Sequence, residues 1–162
     1  MYQPTPASHF QYLLTHTSPA AVAWITGNDS QPQLGGSVKF YQTSYGGVLV
    51  EAEIFGLPHA GTPGSSSFFG MHIHESGNCT KPFDQTGNHY NPGKTLHPQH
   101  AGDLPPLLGN QGYAYLVFYD KRFFVDNILG RSVVIHSMAD DFTSQPSGNS
   151  GEKIGCGVIR AS

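Results

Sequence analysis

Val48-Leu49-Val50-Glu51-Ala52-Glu53-Ile54-Phe55 is the stretch that decides the fold. Val48, Val50, Ala52 and Ile54 fall on one side of an extended chain, and Glu51 and Glu53 on the other. That is the period of a half-buried strand. Just before it, Tyr45-Gly46-Gly47 reads as a hairpin turn back to Val38-Lys39-Phe40-Tyr41. Upstream, Ala21-Val22-Ala23-Trp24-Ile25-Thr26 is another β-rich run, closed by Gly27-Asn28-Asp29. Downstream, similar runs occupy residues 68–74, 113–119, 131–136 and 154–159. Helical spacing is nearly absent. Short strands with turn signals and no internal repeat predict an all-β antiparallel sandwich or barrel.

Composition supports one soluble-type domain over residues 1–162, with 1–18 as a peripheral amino-terminal extension. A chain of 162 residues buries roughly 70% of its unfolded surface, enough for a true core. Charged residues are only 12%. The net charge is −3 and the 8 Lys and Arg are scattered, which argues against nucleic acid as a partner. No apolar run approaches the roughly 18 residues of a membrane span. The amino terminus carries no secretory signal as written, which reads as cytoplasmic. A chain whose leader had been removed would look the same and would be periplasmic or extracellular. Two cysteines, Cys79 and Cys156, can make one disulfide, and that favours an oxidising compartment.

Nine histidines outnumber all Lys and Arg together. In a charge-poor chain this points first to metal. In His72-Ile73-His74 the two imidazoles project from the same strand face while Met71 and Ile73 project to the core. Such a pair binds one metal ion or simply lies on a solvated face. His89, His97, His100 and Asp103 supply four N/O ligands, the number for a closed tetrahedral zinc site. His136 ends the run Val133-Val134-Ile135-His136 and by itself reads as a structural histidine. In company, His72, His74, His89 and His136 form an all-nitrogen set that suits Cu(II). Both sites hold together if His89 gives one ring nitrogen to each, which spacing does not show. His9, His16 and His59 match no pattern and read as surface or turn residues.

Five segments in order carry a resemblance. They are Gly70-Met71-His72-Ile73-His74-Glu75, Gly87-Asn88-His89-Tyr90-Asn91-Pro92, His100-Ala101-Gly102-Asp103-Leu104, Gly130-Arg131-Ser132-Val133-Val134-Ile135-His136 and Gly155-Cys156-Gly157-Val158-Ile159. Together they resemble the copper/zinc superoxide dismutases, and Asp103-Leu104-Pro105 is most similar to the bacterial branch. The resemblance implies an eight-stranded antiparallel Greek-key β-barrel with long metal-binding and electrostatic loops. It implies one copper on His72, His74, His89 and His136, and one zinc on His89, His97, His100 and Asp103. It implies that Asp140, otherwise a turn residue, links the sites by hydrogen bonds to His74 and His97. It implies a Cys79–Cys156 disulfide and a structural role for Arg131. The implied substrate is superoxide, dismuted to dioxygen and hydrogen peroxide, with His89 as proton carrier. The resemblance allows a homodimer without naming its face. The alternative is a non-catalytic copper/zinc-binding protein on the same fold.

One position departs from the family. Where it has an arginine shortly before the second cysteine, this chain has Lys153, preceded by Glu152. Lysine keeps the charge and loses the planar fork of donors. Between His136 and Glu152 the only charges are Asp140 and Asp141, which leaves steering to Lys153, the metals and distant lysines such as Lys81 and Lys94. Two outcomes are expected in stopped-flow superoxide decay. Lys153→Arg raises the rate constant at low ionic strength, and the native rate falls only gently up to physiological salt. An unchanged rate in Lys153→Arg, or a steep salt dependence, contradicts this reading.

Overall fold

Strand β1 (Ala21–Gly27) buries alternate residues, Ala21, Ala23 and Ile25, and exposes Trp24 between them. It pairs antiparallel with β2 (Gly35–Gln42), which turns at Gly46 (φ +73°) into β3 (Val48–Phe55). The Thr43 amide donates to the Gly47 carbonyl (3.0 Å) and closes that hairpin. In β3 the expected apolar face, Val48, Val50, Ala52 and Ile54, is wholly buried, while Glu51 and Glu53 stay partly exposed. The computed structural model describes residues 5–61 and 66–162. The first four residues of the expected amino-terminal extension lie outside the described residues.

The remaining strands are β4 (Phe68–Phe69), β5 (Met71–His74), β6 (Leu107–Leu108), β7 (Ala114–Asp120), β8 (Ser132–His136) and β9 (Lys153–Ala161). A seven-stranded antiparallel sheet runs β5-β8-β9-β1-β2-β3-β7, and β4 pairs with β6. Strands β4 and β5 are one extended run broken at Gly70. Its first half pairs with β6, which lies against β7, and its second half pairs with β8. The run therefore carries the chain around from one end of the long sheet toward the other. Counted as one, β4 and β5 bring the total to the expected eight strands of an antiparallel Greek-key barrel. Gly70 makes the break a close fit. A Cβ there would sit 3.0 Å from both Cβ and Oγ of Ser150 and 3.3 Å from His72 Cε1.

The core is one apolar cluster drawn from all the long strands, including Ile25, Phe40, Val50, Ile54, Met71, Ile73, Val133, Ile135 and Ile159. Fully burying each such side chain is worth about 1.5–3 kcal/mol. A second small cluster, Phe83, Val134 and Cys156, with Cys79 packed against it, surrounds the Cys79–Cys156 disulfide. That bond ties the loop after β5 to the middle of β9. Arg131 holds the same region from the other side. Its Nη1 donates to the Glu75 carbonyl (3.0 Å), its Nε to the Asn127 carbonyl (2.9 Å), and its guanidinium lies 4.0 Å from the Tyr90 ring centroid. The structural role expected for Arg131 is what these contacts describe.

Two elements were not legible in the sequence. Helix α1 (Pro6–His16) buries none of its residues, so it has no wide apolar stripe to read. It docks through Phe10, whose ring lies 4.9 Å from that of Tyr119 and 5.9 Å from that of Tyr45. Thr5 followed by Pro6 is the start signal that marks it. Strand β6 is two residues long, too short for any period. A single turn, α2 (Val125–Ile128), and a 3-10 turn (Asp84–Thr86) complete the helical content of the described residues. Among them no helix is long and apolar enough to cross a membrane.

The disulfide closes a span of 77 residues. In the chain-entropy model a loop of that length contributes up to about 4–5 kcal/mol. Replacing both cysteines by serine is expected to lower the urea-unfolding free energy by up to that amount without changing the sheet. A loss below about 1 kcal/mol in the same measurement would show that the reduced chain already holds this loop.

Candidate metal centre

β5 is the edge strand of the long sheet, and it lends both of its histidines to the site. Its free edge is not left open. The Tyr90 amide donates to the Ile73 carbonyl (2.7 Å), the Ile73 amide to the Gly102 carbonyl (2.9 Å), and the Gly102 amide to the Tyr90 carbonyl (2.8 Å). The loop carrying His89, His97, His100 and Asp103 is thus laid along β5 as if it were further strands, which also blunts the edge. From β8, the His136 amide donates to the Gly70 carbonyl (2.8 Å). His136 therefore stands opposite Gly70, on the same face as His72 and His74.

Two clusters result. His72, His74, His89 and His136 offer one ligand atom each within 4.8 Å of one another, and so do His89, His97, His100 and Asp103. His89 is common to both. All seven residues are buried, His72 completely and His74 to within 2%. His72 and His74 therefore do not lie on a solvated face, and His136 stands in their company.

The ring nitrogens sort into inward and outward atoms. His74 Nε2 and His136 Nε2 face each other at 3.4 Å. In the second cluster, His89 Nδ1 (2.7 Å), His97 Nδ1 (3.1 Å) and His100 Nδ1 (3.2 Å) converge on the Asp103 carboxylate. The outward atoms are tied: His74 Nδ1 to the Gly87 carbonyl (2.9 Å), His72 Nε2 to Asp140 Oδ2 (2.7 Å) and His97 Nε2 to Asp140 Oδ1 (2.8 Å). Such outer bonds fix tautomer and ring orientation. Among the described residues three buried side-chain atoms have no hydrogen-bond partner, His72 Nδ1, His89 Nε2 and His97 Nδ1, the last lying near the Asp103 carboxylate without bonding to it. Buried nitrogens are rarely left so. All three belong to the clusters, where a bound cation would satisfy them, so the residues present fit metal at both places.

Asp140 does link the clusters, with one correction. Its partners are His72 and His97, not His74. His72 turns Nδ1 inward and so presents Nε2 to Asp140, whereas His74 turns Nε2 inward and spends Nδ1 on Gly87. Gly148 seals Asp140 from above. Its φ is +72°, and a Cβ there would lie 2.0 Å from Asp140 Oδ1 and 2.6 Å from His97 Nε2.

Electrostatics agree with a neutral-imidazole, ionised-carboxylate site. Burial, helped by the nearby His136, pushes His74 down to about 2. Burial, helped by His72, pushes His136 down to about 3. His72 is lowered by burial despite its bond to Asp140. Burial alone would raise Asp103 and Asp140. In Asp103 the hydrogen bond and charge of His89 prevail, and in Asp140 the bonds from His72, the Phe142 amide and His97 prevail. Both carboxyls end below their ordinary range.

The clusters open on a cleft of about 650 Å³ lined by His74, His89, His136, Ser150 and Lys153, among others. Lys153 does not point into bulk solvent. Its half-buried ammonium donates to Thr86 Oγ1 (2.9 Å), and burial lowers its pKa. Glu152 turns away and accepts from Asn28 Nδ2 (2.9 Å). Lys81 pairs with Asp29 at 3.0 Å, away from the cleft. His9 packs edge-on against Tyr45 and His16 stacks on Tyr12, both outside the clusters, as is His59.

Several supporting residues escaped the sequence. Gln145 accepts from the His97 amide (3.0 Å) and donates to the His97 carbonyl (2.7 Å), pinning one loop to the other. Arg122, paired with Asp120, donates to the carbonyls of His100 (2.9 Å) and Asp103 (2.5 Å). Thr86 holds Lys153. None carries a spacing signal, because each acts on a partner distant in sequence.

A family model for copper/zinc superoxide dismutase matches residues 34–159. The chain is 36% identical over 155 residues to a copper/zinc superoxide dismutase of Arabidopsis thaliana, covering 86% of this chain and 88% of that one. It is 36% identical over 140 residues to the copper/zinc superoxide dismutase of Deinococcus radiodurans, covering 71% of each. It is 32% identical over 183 residues to the copper chaperone for superoxide dismutase of Rattus norvegicus, covering 97% of this chain and 64% of the chaperone. Among solved structures, the clock protein EA4 is similar over 100% of both chains, with TM-score 0.76 at 26% identity. The matched span contains every residue of both clusters, and the chain belongs to the copper/zinc superoxide dismutase family.

Proposed function

We propose that the protein is a superoxide dismutase that converts two superoxide ions and two protons to dioxygen and hydrogen peroxide. The observation that carries this reading is the pair of complete donor clusters sharing His89, opening on a cleft with a cationic side chain at its wall. One copper on His72, His74, His89 and His136 would supply the one-electron redox chemistry, and one zinc on His89, His97, His100 and Asp103 would supply fixed charge without redox.

The chain's own residues do the rest. Lys153 draws the substrate anion to the cleft wall formed by His74, His89 and His136. His89 Nε2, buried and without a hydrogen-bond partner, is the atom that holds a proton between half-reactions and delivers it to the forming peroxide. His89 Nδ1, 2.7 Å from Asp103, keeps the ring in place as that happens. Asp140 fixes the rings of His72 and His97 together. Dioxygen and hydrogen peroxide are neutral, so Lys153 does not retain them.

The copper-chaperone relative supports a second reading, a non-catalytic copper/zinc carrier on the same fold. Metal-loaded protein, checked for copper and zinc, separates the two in stopped-flow superoxide decay. The dismutase reading expects decay first order in enzyme that is abolished by chelating copper. Full occupancy without catalysed decay establishes the carrier.

The buried imidazoles also set a pH dependence. His74 and His136 titrate near 2 and 3 in the folded chain and near 6.5 in the unfolded one, so below about pH 6.5 the unfolded state binds more protons. The unfolding free energy of metal-free protein is expected to fall as pH drops from about 6.5 toward 3, with a slope of about 1–3 kcal/mol per pH unit. Urea unfolding at a series of pH values measures this, and a flat profile between pH 6.5 and 4 contradicts it.

A further inference from the structure

We propose that Thr86 is a positioning residue that fixes the ammonium of Lys153 over the cleft. This inference rests on the reading of Lys153 as the group that attracts the substrate anion. Thr86 is polar yet fully buried. It ends a 3-10 turn (Asp84–Thr86) immediately before Gly87-Asn88-His89. Its hydroxyl donates to the Phe83 carbonyl (2.9 Å), which commits the proton and turns the oxygen lone pairs toward Lys153 Nζ at 2.9 Å. The Phe83 carbonyl itself lies 3.5 Å from the same ammonium. His74 Nδ1 is 3.5 Å from the hydroxyl but has a nearer partner in the Gly87 carbonyl at 2.9 Å. The hydroxyl therefore serves Lys153 rather than His74.

The turn is a firm anchor. The Cys79–Cys156 disulfide joins this loop to β9 three residues beyond Lys153, and Phe83 packs against that disulfide. A lysine is a flexible stem with a point charge and lacks the planar donor fork that would hold an arginine in one orientation. Thr86 provides the missing constraint. A charge held at one place on the cleft wall binds an anion better than the same charge spread over several rotamers.

The test uses the full chain loaded with copper and zinc and takes azide as the probe anion, its dissociation constant read from the copper(II) visible spectrum. Thr86→Val is expected to weaken azide binding by about 2- to 10-fold, the worth of one hydrogen bond. Thr86→Ser, which keeps the hydroxyl, is expected to match the native protein. In a Lys153→Met background, which itself weakens azide, Thr86→Val is expected to add nothing, because Thr86 acts through Lys153. An unchanged constant in Thr86→Val, an equal loss in both backgrounds, or a Lys153→Met protein that binds azide normally overturns the proposal. If Thr86→Val does not fold, Thr86→Ala removes the hydroxyl without adding bulk and is judged by the same criteria. Superoxide turnover is measured separately. Absent turnover with the azide pattern intact refutes the dismutase reading and upholds the pairing of Thr86 with Lys153.

Discussion

One carboxylate, that of Asp140, holds the two halves of the site in register. Its two oxygens accept from His72 on the barrel wall and from His97 on the overlying loop. Beyond it, the loop from His89 to Asp103 meets β5 through backbone bonds and the stacking of His89 on His72. The carboxylate is buried, and a buried charge is costly unless fully bonded. The His72, His97 and Phe142 donors meet that cost, and Gly148 leaves no room for anything else above it. Bonding one ring nitrogen outward leaves the other facing in, which is how His72 and His97 come to turn their Nδ1 atoms into the clusters.

The same economy of anchoring governs the far wall of the cleft. The disulfide fixes the loop after β5 to β9, Arg131 ties its start to Asn127 and Tyr90, and Thr86 receives the one cation of the wall. Asn28 reaches from the end of β1 to the Glu152 carboxylate and the Lys153 carbonyl, which keeps the acidic neighbour of Lys153 away from the cleft. The cleft is thus bounded by two loops, the one after β5 held to the barrel by the disulfide, packed side chains and long-range polar contacts together.

Membership of the family accounts for the frame, while the chain's own substitutions account for its particular wall. The similar proteins include copper/zinc superoxide dismutases and a copper chaperone for superoxide dismutase, so family membership alone does not choose between the two proposed readings. On the proposed dismutase reading, what distinguishes the two is the delivery of a small anion to the shared histidine, the task proposed for Lys153.

Most strand positions were legible in the linear chain because they depend on local rules, whereas the two full donor sets were implied by the family resemblance. Alternation placed Val48, Val50, Ala52 and Ile54 inside, and i, i+2 spacing put His72 and His74 on one face. The ordered segments around His72, His89, His100, His136 and Cys156 then carried the family. Other features were decided only by tertiary structure. Helix α1 is held by Phe10 against Tyr45 and Tyr119, contacts that no local pattern announces. Asp140 chose His72 over His74 because ring orientation follows from which nitrogen faces the cluster, and a sequence contains no ring orientations. The partnership of Thr86 with Lys153 spans 67 residues, and its geometry exists only once the chain has folded the turn against β9. Periodicity reports which face a residue occupies; it says nothing of what meets it there from a distant part of the chain.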